Sequence, residues 1–384
     1  MTEAASPAEL RHVPAERRHE ELGATFCDFA GWRLPLRYGS EVAEHLAVRS
    51  TAGLFDISHM GQIAVVGSKA AAGLAASLVS DVARLEIGAA RYTMCCDEQG
   101  GVLDDLLVYR TGDARFLVVA NAANTARIVA ELRSRSPEGD VTVADETGER
   151  ALFALQGPRA AELLRAACGD ALLPGRYRAA DLDVAGLPAF VARTGYTGED
   201  GFELSVGAKD APALWDALLA GDGAGAPVPA GLAARDSLRL EAGLPLYGHE
   251  LDATRTPFDA GYGNVVDLEH TFVGDAALRR TAEAPSGVAL VGLVDDSRRS
   301  PRAGYAVYAP EGGLVGAVTS GGPSPSLGGS IAMAYVARPA AVAGSVLEVD
   351  VRGRRQPARL VELPFYRRRR TAGGPAQSSA GRPA

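Results

Sequence analysis

The sequence has 384 residues, of which 47% are hydrophobic and 22% are charged, and its formal net charge is −8. This length suggests two or three domains, and the composition is that of a globular protein, which excludes a wholly disordered chain. The acidic balance argues against general nucleic-acid binding, because that function needs a basic face.

The sequence shows no membrane or secretory segment. No apolar run reaches the ~20 residues that a membrane-spanning helix needs. Residues 1–21 are charged and lack the apolar core of a secretory signal. The four cysteines show no CxxC spacing, and two of them are adjacent. They therefore indicate reduced thiols rather than disulfides or zinc ligands, and we expect a cytoplasmic protein without a metal.

Residues 60–144 carry the pattern of a compact α+β unit. Residues 97–101 contain two glycines between apolar strands, which is typical of a hairpin loop. The predicted order is strand, helix, three strands, helix. The predicted strands are 61–66, 91–96, 102–109 and 116–120, and the predicted helices are 69–79 and 121–133.

Flanking segments are predicted by the same periodicities. Helices are expected at 41–50, 211–219 and 231–241, and strands at 151–155, 190–193 and 202–206. From Val288 onward the pattern is almost purely β and predicts a small barrel or sandwich. Its expected strands are 288–294, 305–308, 314–319, 330–336 and 346–351. Residues 1–14 and 371–384 are rich in small and turn-forming residues, and we expect both to be disordered.

Two adjacent aspartates, Asp104 and Asp105, lie in the apolar strand predicted at 102–109. Strand alternation places Asp105 on the face of Tyr109 and Asp104 on the opposite face. One carboxylate must therefore face an apolar environment, where it needs partners and can stabilise a cationic intermediate. The alternative is that both carboxylates accept hydrogen bonds from turn amides at the hairpin end.

Two further polar positions interrupt apolar patterns. The glycine-bearing segment 193–204 allows tight turns and close approach of a ligand, and it contains Glu203. The alternative for Glu203 is a solvated strand residue. In the helix predicted at 231–241, Arg235 could bind a carboxylate of a ligand or pair with neighbouring acidic residues.

Taken together, these stretches resemble the glycine cleavage T-protein family of aminomethyltransferases. The resemblance implies an α+β fold with three domains in a cloverleaf around a central folate channel. The first, discontinuous domain would comprise 15–59 and 145–270, the ferredoxin-like second domain 60–144, and the C-terminal small β-barrel 285–366. The resembling segments are 29–32, 34–36, 54–61, 100–109, 121–124, 155–158, 193–204, 246–248, 324–327 and 364–366.

The resemblance also implies a reaction in glycine degradation. Family members take an aminomethyl group from the dihydrolipoyl arm of H-protein, release ammonia and form 5,10-methylenetetrahydrofolate. Tetrahydrofolate would be the one-carbon acceptor, lipoylated H-protein a transient partner, and no metal or nucleotide would be needed. We also expect a monomer, since no coiled-coil or exposed apolar repeat is present.

The resemblance assigns site residues by position. Asp105 would be catalytic, because a carboxylate can stabilise the positive charge that develops on the folate nitrogen and the departing ammonium. For Met60, Tyr92 and Tyr109, packing in the core is the alternative. The expected folate-binding residues are Glu203, Arg235, Tyr196, Asn121, Tyr92, Tyr109, Met60 and Tyr366.

Asn264 departs from the family pattern, because bacterial relatives often carry a bulky aromatic residue there. It leaves an alternative open: a tetrahydrofolate-dependent demethylase that acts on another methyl or methylene donor. A non-catalytic folate-binding protein of iron–sulfur assembly is disfavoured, since the Lys-Gly-Cys-Tyr signature of that class is absent from the sequence.

Overall fold

The computed structural model describes residues 9–220, 225–297 and 299–368. Its helices are α1 Glu16–Glu21, α2 Glu41–Ser50, α3 Ala70–Ser77, α4 Thr125–Arg135, α5 Ala160–Cys168, α6 Ala211–Leu219, α7 Leu232–Glu241 and α8 Asp275–Glu283. Its strands are β1 Arg11–His12, β2 Thr25–Phe29, β3 Trp32–Arg37, β4 Gly53–Asp56, β5 Gly61–Val66, β6 Ala90–Cys96, β7 Val102–Gly112, β8 Arg115–Ala120, β9 Thr142–Asp145, β10 Arg150–Gln156, β11 Ala179–Val184, β12 Leu187–Ala192, β13 Gly201–Gly207, β14 Val228–Pro229, β15 Val288–Asp295, β16 Ala306–Tyr308, β17 Leu314–Pro323, β18 Ser330–Ala337, β19 Val346–Val351 and β20 Arg354–Val361.

A six-stranded sheet has the order β11-β12-β13-β10-β4-β14. Helices α5 and α6 cover one face of it, where Phe202 and Leu204 of β13 are buried among apolar side chains from both helices. Because successive side chains of a strand point to opposite faces, Glu203 projects from the other face. The sheet therefore presents Glu203 on the side away from these two helices.

A five-stranded sheet has the order β6-β7-β8-β5-β9 and is covered on one face by α3 and α4. Leu106 and Val108 of β7 are buried in the core beneath these helices. The alternation predicted from the sequence is therefore confirmed. Asp105 and Tyr109 share the uncovered face, and Asp104 lies on the helix-covered side.

The uncovered faces of these two sheets meet in a shared apolar layer. It combines Tyr109 and Val119 of the five-stranded sheet with Leu152 and Ala154 of the six-stranded sheet. Burial of this layer holds the two sheets together, since apolar surface removed from water is stabilising by roughly 25 cal/mol per Å². The faces that carry Asp105 and Glu203 are thereby brought towards each other.

The C-terminal strands form a closed barrel in the order β15-β18-β17-β16-β19-β20. The expectation of a β-rich C-terminal unit is confirmed, and the barrel is the correct alternative. The sequence did not predict β20, because arginines, Gln356 and Pro357 mask its alternation. Only Ala358 and Leu360 of this strand reach the barrel core. Together with the two mixed units, the barrel confirms the predicted α+β class.

The N-terminal prediction needs a correction. Residues 9–14 were expected to be disordered, but β1 pairs in parallel with β3. Val13 is only 3% exposed and packs against Trp32 and Leu34, and this burial orders the segment. The rest of the predicted tails, residues 1–8 and 371–384, lies outside the described residues. Within the described part of the chain, no helix is long and apolar enough to cross a membrane.

Candidate functional site

Asn121 bridges the adjacent carboxylates. Its Nδ2 donates to Asp104 Oδ1 and to Asp105 Oδ1, with both distances 2.8 Å. The Tyr92 hydroxyl donates to Asp105 Oδ2 at 3.0 Å. Tyr92 and Asp105 lie on paired strands β6 and β7, and Asn121 follows the neighbouring strand β8. Sheet pairing therefore brings two predicted site residues, Tyr92 and Asn121, to the carboxylate of a third, Asp105.

Both carboxylates are perturbed by their surroundings. Burial raises the pKa of Asp105, against the hydrogen bonds from Tyr92 and Asn121. Burial and the charge of Asp105 raise the pKa of Asp104 to about 8. Two neighbouring carboxylates in an apolar setting resist holding two negative charges, so their titrations depend on each other. A strongly perturbed carboxylate that faces a space between sheets is a candidate functional group.

Glu203 is held by hydroxyl groups through one oxygen only. Thr194 Oγ1 donates to Glu203 Oε2 at 2.5 Å, and the Tyr109 hydroxyl lies 3.3 Å from the same oxygen. Tyr109 also lies within 2.9 Å of Thr194 Oγ1, so the three groups form one cluster. Among the residues that the structure describes, none donates to Glu203 Oε1. The carboxylate is thus oriented and keeps an acceptor for a ligand.

Arg235 and Arg239, one helical turn apart on α7, have different surroundings. Arg239 pairs with Asp236 at 2.7 Å and with Glu250 at 3.1 Å. The Arg235 guanidinium instead lies 4.7 Å from the centre of the Tyr196 ring and donates no hydrogen bond to any described residue. Burial lowers the pKa of Arg235, although an arginine stays cationic at neutral pH. This cation is available to a ligand.

Tyr196 relates these groups to one another. The charges of Arg239, Asp105 and Arg235 act on its hydroxyl, whose pKa is raised chiefly by burial. The hydroxyl donates to the carbonyl oxygen of Pro245. Because a charge must be near to perturb a pKa in this way, Asp105, Tyr196 and Arg235 border a common region.

The structure also locates three other positions singled out in the sequence. Met60 is half-buried and packs against the apolar layer between the sheets, which agrees with the core-packing alternative. The Tyr366 ring lies under the guanidinium of Arg49, at 3.9 Å. Asn264 is exposed within a short 3-10 helix, Gly263–Val265. Within the described residues, Met60 and Tyr366 make no hydrogen bond to Asp105 or Glu203.

Sequence reasoning missed several site neighbours. Thr194 holds Glu203, and the ring of Tyr262 lies 5.8 Å from that of Tyr92. His59 is 2% exposed, and its Nδ1 has no hydrogen-bond partner among the described residues. Burial, with the charge of Arg235, lowers the pKa of His59 to about 3. The sequence signal that could have identified His59 is its position directly before Met60, a predicted site residue.

The described residues offer no cluster of metal ligands. Residues 9–220, 225–297 and 299–368 contain no group of three or more His, Cys, Asp or Glu side chains that could hold a metal ion. The four cysteines are free thiols. The polar groups at the site are carboxylates, hydroxyls, an amide and an unpaired guanidinium, which suit an organic ligand with N–H donors and anionic groups.

Comparison with known proteins identifies the family. Residues 15–270 match the GCVT N-terminal domain, and residues 289–367 match the glycine cleavage T-protein C-terminal barrel domain. The aminomethyltransferase of Saccharopolyspora erythraea is 51% identical over 361 residues, which cover 93% of this chain and 98% of that protein. The aminomethyltransferase of Streptomyces avermitilis is 52% identical over 371 residues, which cover 94% and 98%.

A solved structure agrees with these relatives. The crystal structure of glycine cleavage system aminomethyltransferase T from Bartonella henselae has a TM-score of 0.87 and 40% sequence identity, and the match covers 94% of this chain and 99% of that one. The predicted multi-domain fold and the predicted enzyme class are confirmed by this agreement. The chain belongs to the glycine cleavage T-protein family, the aminomethyltransferases of that system.

Proposed function

We propose that the region bordered by Asp105, Glu203 and Arg235 binds tetrahydrofolate and is where this aminomethyltransferase works. The activity of the chain is transfer of the methylene carbon of an aminomethyl group, with release of ammonia. In the proposed reaction, lipoylated H-protein presents the group on its dihydrolipoyl arm. Tetrahydrofolate supplies the nitrogens that take up the carbon, and 5,10-methylenetetrahydrofolate is the product.

The observation that carries the proposal is the setting of Asp105. Its carboxylate is fixed by Tyr92 at 3.0 Å and by Asn121 at 2.8 Å. Positive charge develops on the attacking nitrogen and on the departing ammonium. A fixed carboxylate in an apolar setting stabilises that charge without having to reorganise during the reaction. We assign Asp105 as the catalytic residue on this ground.

Binding is assigned to the remaining groups. Glu203 offers Oε1 and the free capacity of Oε2 to the adjacent N–H and amino donors of a pterin edge. Arg235 offers an unpaired cation, with its face against the Tyr196 ring. The aromatic or apolar surfaces of Tyr92, Tyr109, Met60 and Tyr366 suit a flat ligand, and Asn121 adds an amide.

The proposed domain division is supported by the strand pairing. Strands of the six-stranded sheet come from 53–56 and 150–229, those of the five-stranded sheet from 61–145, and those of the barrel from 288–361. These ranges agree with a discontinuous first domain at 15–59 and 145–270, a second domain at 60–144 and a third at 285–366. We further propose that the enzyme is a cytoplasmic monomer that binds H-protein transiently.

No specific observation favours the demethylase alternative. Asn264 is exposed within the 3-10 helix Gly263–Val265. The relatives of this chain from Saccharopolyspora erythraea and Streptomyces avermitilis are both aminomethyltransferases. We therefore keep aminomethyl transfer as the proposed reaction.

The test mixes the purified protein with tetrahydrofolate and aminomethylated H-protein and follows ammonia and 5,10-methylenetetrahydrofolate together. Equal amounts of both products are expected. A reaction without H-protein and a reaction with unlipoylated H-protein are the controls, and neither should form product. Binding of tetrahydrofolate without either product would contradict H-protein as the donor and would direct the search to demethylase substrates.

A further inference from the structure

Asp104 is fully buried and is surrounded by donors. The backbone N–H of Asn121 donates to Asp104 Oδ2 at 3.0 Å. The side-chain amides of Asn121 and Asn124 donate to Asp104 Oδ1 at 2.8 and 2.7 Å. Asp104 projects from the helix-covered face of β7, and its hydrogen bonds connect it to the site through these partners.

The two carboxylates fix the orientation of the Asn121 amide. The nitrogen has two hydrogens, and it lies 2.8 Å from Asp104 Oδ1 and 2.8 Å from Asp105 Oδ1. An amide oxygen in that position would face two acceptors, so the nitrogen must occupy it. The side-chain oxygen Oδ1 of Asn121 then points away from both carboxylates, and it accepts no hydrogen bond from the described residues.

Removing one carboxylate would remove this constraint. If a donor replaced Asp104, Asp105 would be the single acceptor, and the side-chain amide of Asn121 could flip so that its oxygen faced that new donor. Asp105 would then lose one of its two side-chain donors, and its carboxylate would be held by Tyr92 alone. Asp104 therefore influences the orientation of the Asp105 carboxylate through the Asn121 amide.

We propose that Asp104 is a positioning residue for the transfer reaction, which acts through Asn121 to keep a hydrogen-bond donor on Asp105. The inference rests on the proposed function, because it takes Asp105 as the catalytic carboxylate. The buried side chain of Asp104 on one face of β7 orients the Asn121 amide, and that amide orients the Asp105 carboxylate on the other face.

An acidic side chain at position 104 is energetically unfavourable if its role is purely structural. Its ionised form is opposed by burial and by the charge of Asp105, although Asn121 and Asn124 favour it. A neutral polar residue would avoid the repulsion between two adjacent carboxylates. Orientation of the Asn121 amide accounts for an acidic side chain at this position, because both of its oxygens accept from Asn121 and Asn124, whereas an asparagine would place an N–H2 group among these donors.

The test is a double-mutant cycle in kcat with Asp104→Asn and Asn121→Ala. Asp104→Asn keeps the shape of the side chain but places an N–H2 group among donors. We expect kcat to fall on the order of tenfold to a hundredfold, as for loss of a hydrogen bond to a charged group, with a smaller change in KM for tetrahydrofolate. In the Asn121→Ala background, Asp104→Asn should change kcat by less than about twofold, because the intermediary is absent.

Asp295→Asn is the matched control. Asp295 is a buried carboxylate in the barrel, 8% exposed, and it accepts hydrogen bonds from Ser297 rather than from any site residue. Its substitution should leave kcat unchanged. Urea unfolding of the four proteins of the cycle, without tetrahydrofolate, gives a readout independent of activity: the two substitutions should be coupled in unfolding midpoint as well.

The outcomes separate the two proposals. An equal fall in kcat with and without Asn121 would show that Asp104 acts by another route, and a lower unfolding midpoint with unchanged kcat would make it a structural residue. Either result overturns this inference while the wild-type enzyme remains active. A wild-type enzyme that binds tetrahydrofolate but forms neither product would instead overturn the proposed function, on which the inference rests.

Discussion

The guanidinium of Arg49 lies 3.9 Å from the centre of the Tyr366 ring and is itself held by Glu241, at 3.1 Å through Nε and 2.9 Å through Nη2. The backbone N–H of Tyr366 donates to the carbonyl oxygen of Glu241 at 2.8 Å. One buried ion pair between α2 and α7 thus determines where the segment that follows the barrel lies, and with it a ring to which we assign folate binding.

Glu241 is also the anchor of a barrel loop. Ser324 Oγ donates to its Oε1 at 2.6 Å, and Ser326 donates through its backbone N–H at 2.9 Å and its hydroxyl at 2.8 Å. His45 Nε2 lies 3.0 Å from Oε2. Burial opposes ionisation of Glu241, but hydrogen bonds from His45 and the serines outweigh it and lower the pKa to about 2.

Glu241→Gln should destabilise the protein and weaken tetrahydrofolate binding. Glu241→Gln breaks a buried ion pair and leaves Arg49 with Glu199, at 3.0 Å, as its carboxylate partner among the described residues, which costs about 3 kcal/mol. Urea unfolding and calorimetric titration with tetrahydrofolate measure the two effects. Glu348→Gln, which removes an exposed pair with Arg355, is the control and should change little. Equal effects of both substitutions would contradict the role given to Glu241.

The stabilisation from Glu241 should depend on pH with a defined sign. Its pKa is lowered from 4.5 to about 2 in the folded protein, so its contribution is present above pH 4.5 and is lost as the pH falls towards 2. The difference in unfolding free energy between wild type and Glu241→Gln should therefore shrink over that window. A difference that stays constant from pH 6 to pH 2 would exclude an ionised Glu241 as its origin.

Asp105→Asn should abolish most turnover while leaving tetrahydrofolate binding nearly unchanged. The amide cannot stabilise developing positive charge as a carboxylate does, so kcat should fall by about 100-fold or more. Ammonia release and calorimetric titration separate the two quantities. Asp295→Asn is the control, since it changes a buried carboxylate in the barrel that accepts hydrogen bonds from Ser297, and it should leave kcat unchanged. An equal loss of kcat in both variants would overturn the assignment of Asp105.

Glu203→Gln should act mainly on binding. A glutamine turns an amide donor towards the N–H donors of the pterin edge, and the dissociation constant of tetrahydrofolate should rise by roughly tenfold to a hundredfold. Glu162→Gln on α5 removes an exposed ion pair with Arg159 and serves as the control. A kcat that falls while the dissociation constant stays unchanged would show that Glu203 does not bind the pterin.

Periodicity predicted the parts of the site that lie within regular strands. Alternation along β7 was sufficient to place Asp105 and Tyr109 on one face and Asp104 on the other, because the side-chain period of a strand is two. It also placed Glu203 opposite its two apolar neighbours on β13. Such predictions succeed because the face on which a strand side chain lies depends only on the local sequence.

Partner choice could not be predicted in the same way. Arg235 and Arg239 are equivalent as helix neighbours, yet Arg239 reaches Glu250 and Ser320 from distant segments and Arg235 does not. Strand β1 is two residues long and exists because β3 and the burial of Val13 hold it. These features depend on long-range packing, which local propensity does not encode.

Titration of Asp104 should reduce the stability of the wild type as the pH rises. Its pKa is raised from 3.8 to about 8 by burial and by the charge of Asp105, against hydrogen bonds from Asn124 and Asn121. Because the pKa is raised in the folded protein, protonated Asp104 contributes fully to the unfolding free energy below pH 3.8. This contribution is lost as the pH approaches 8.

Asp104→Asn removes this titration. The unfolding free energy of the wild type, relative to that of the variant, should therefore decrease between pH 4 and pH 8, as measured by urea unfolding at a series of pH values. Asp104 titrates in both the wild type and Asp295→Asn, so the relative stability of these two proteins is the control and should not show this decrease. A relative stability that increases over this range would mean that the three donors around Asp104 dominate over burial, and the carboxylate would then be ionised throughout.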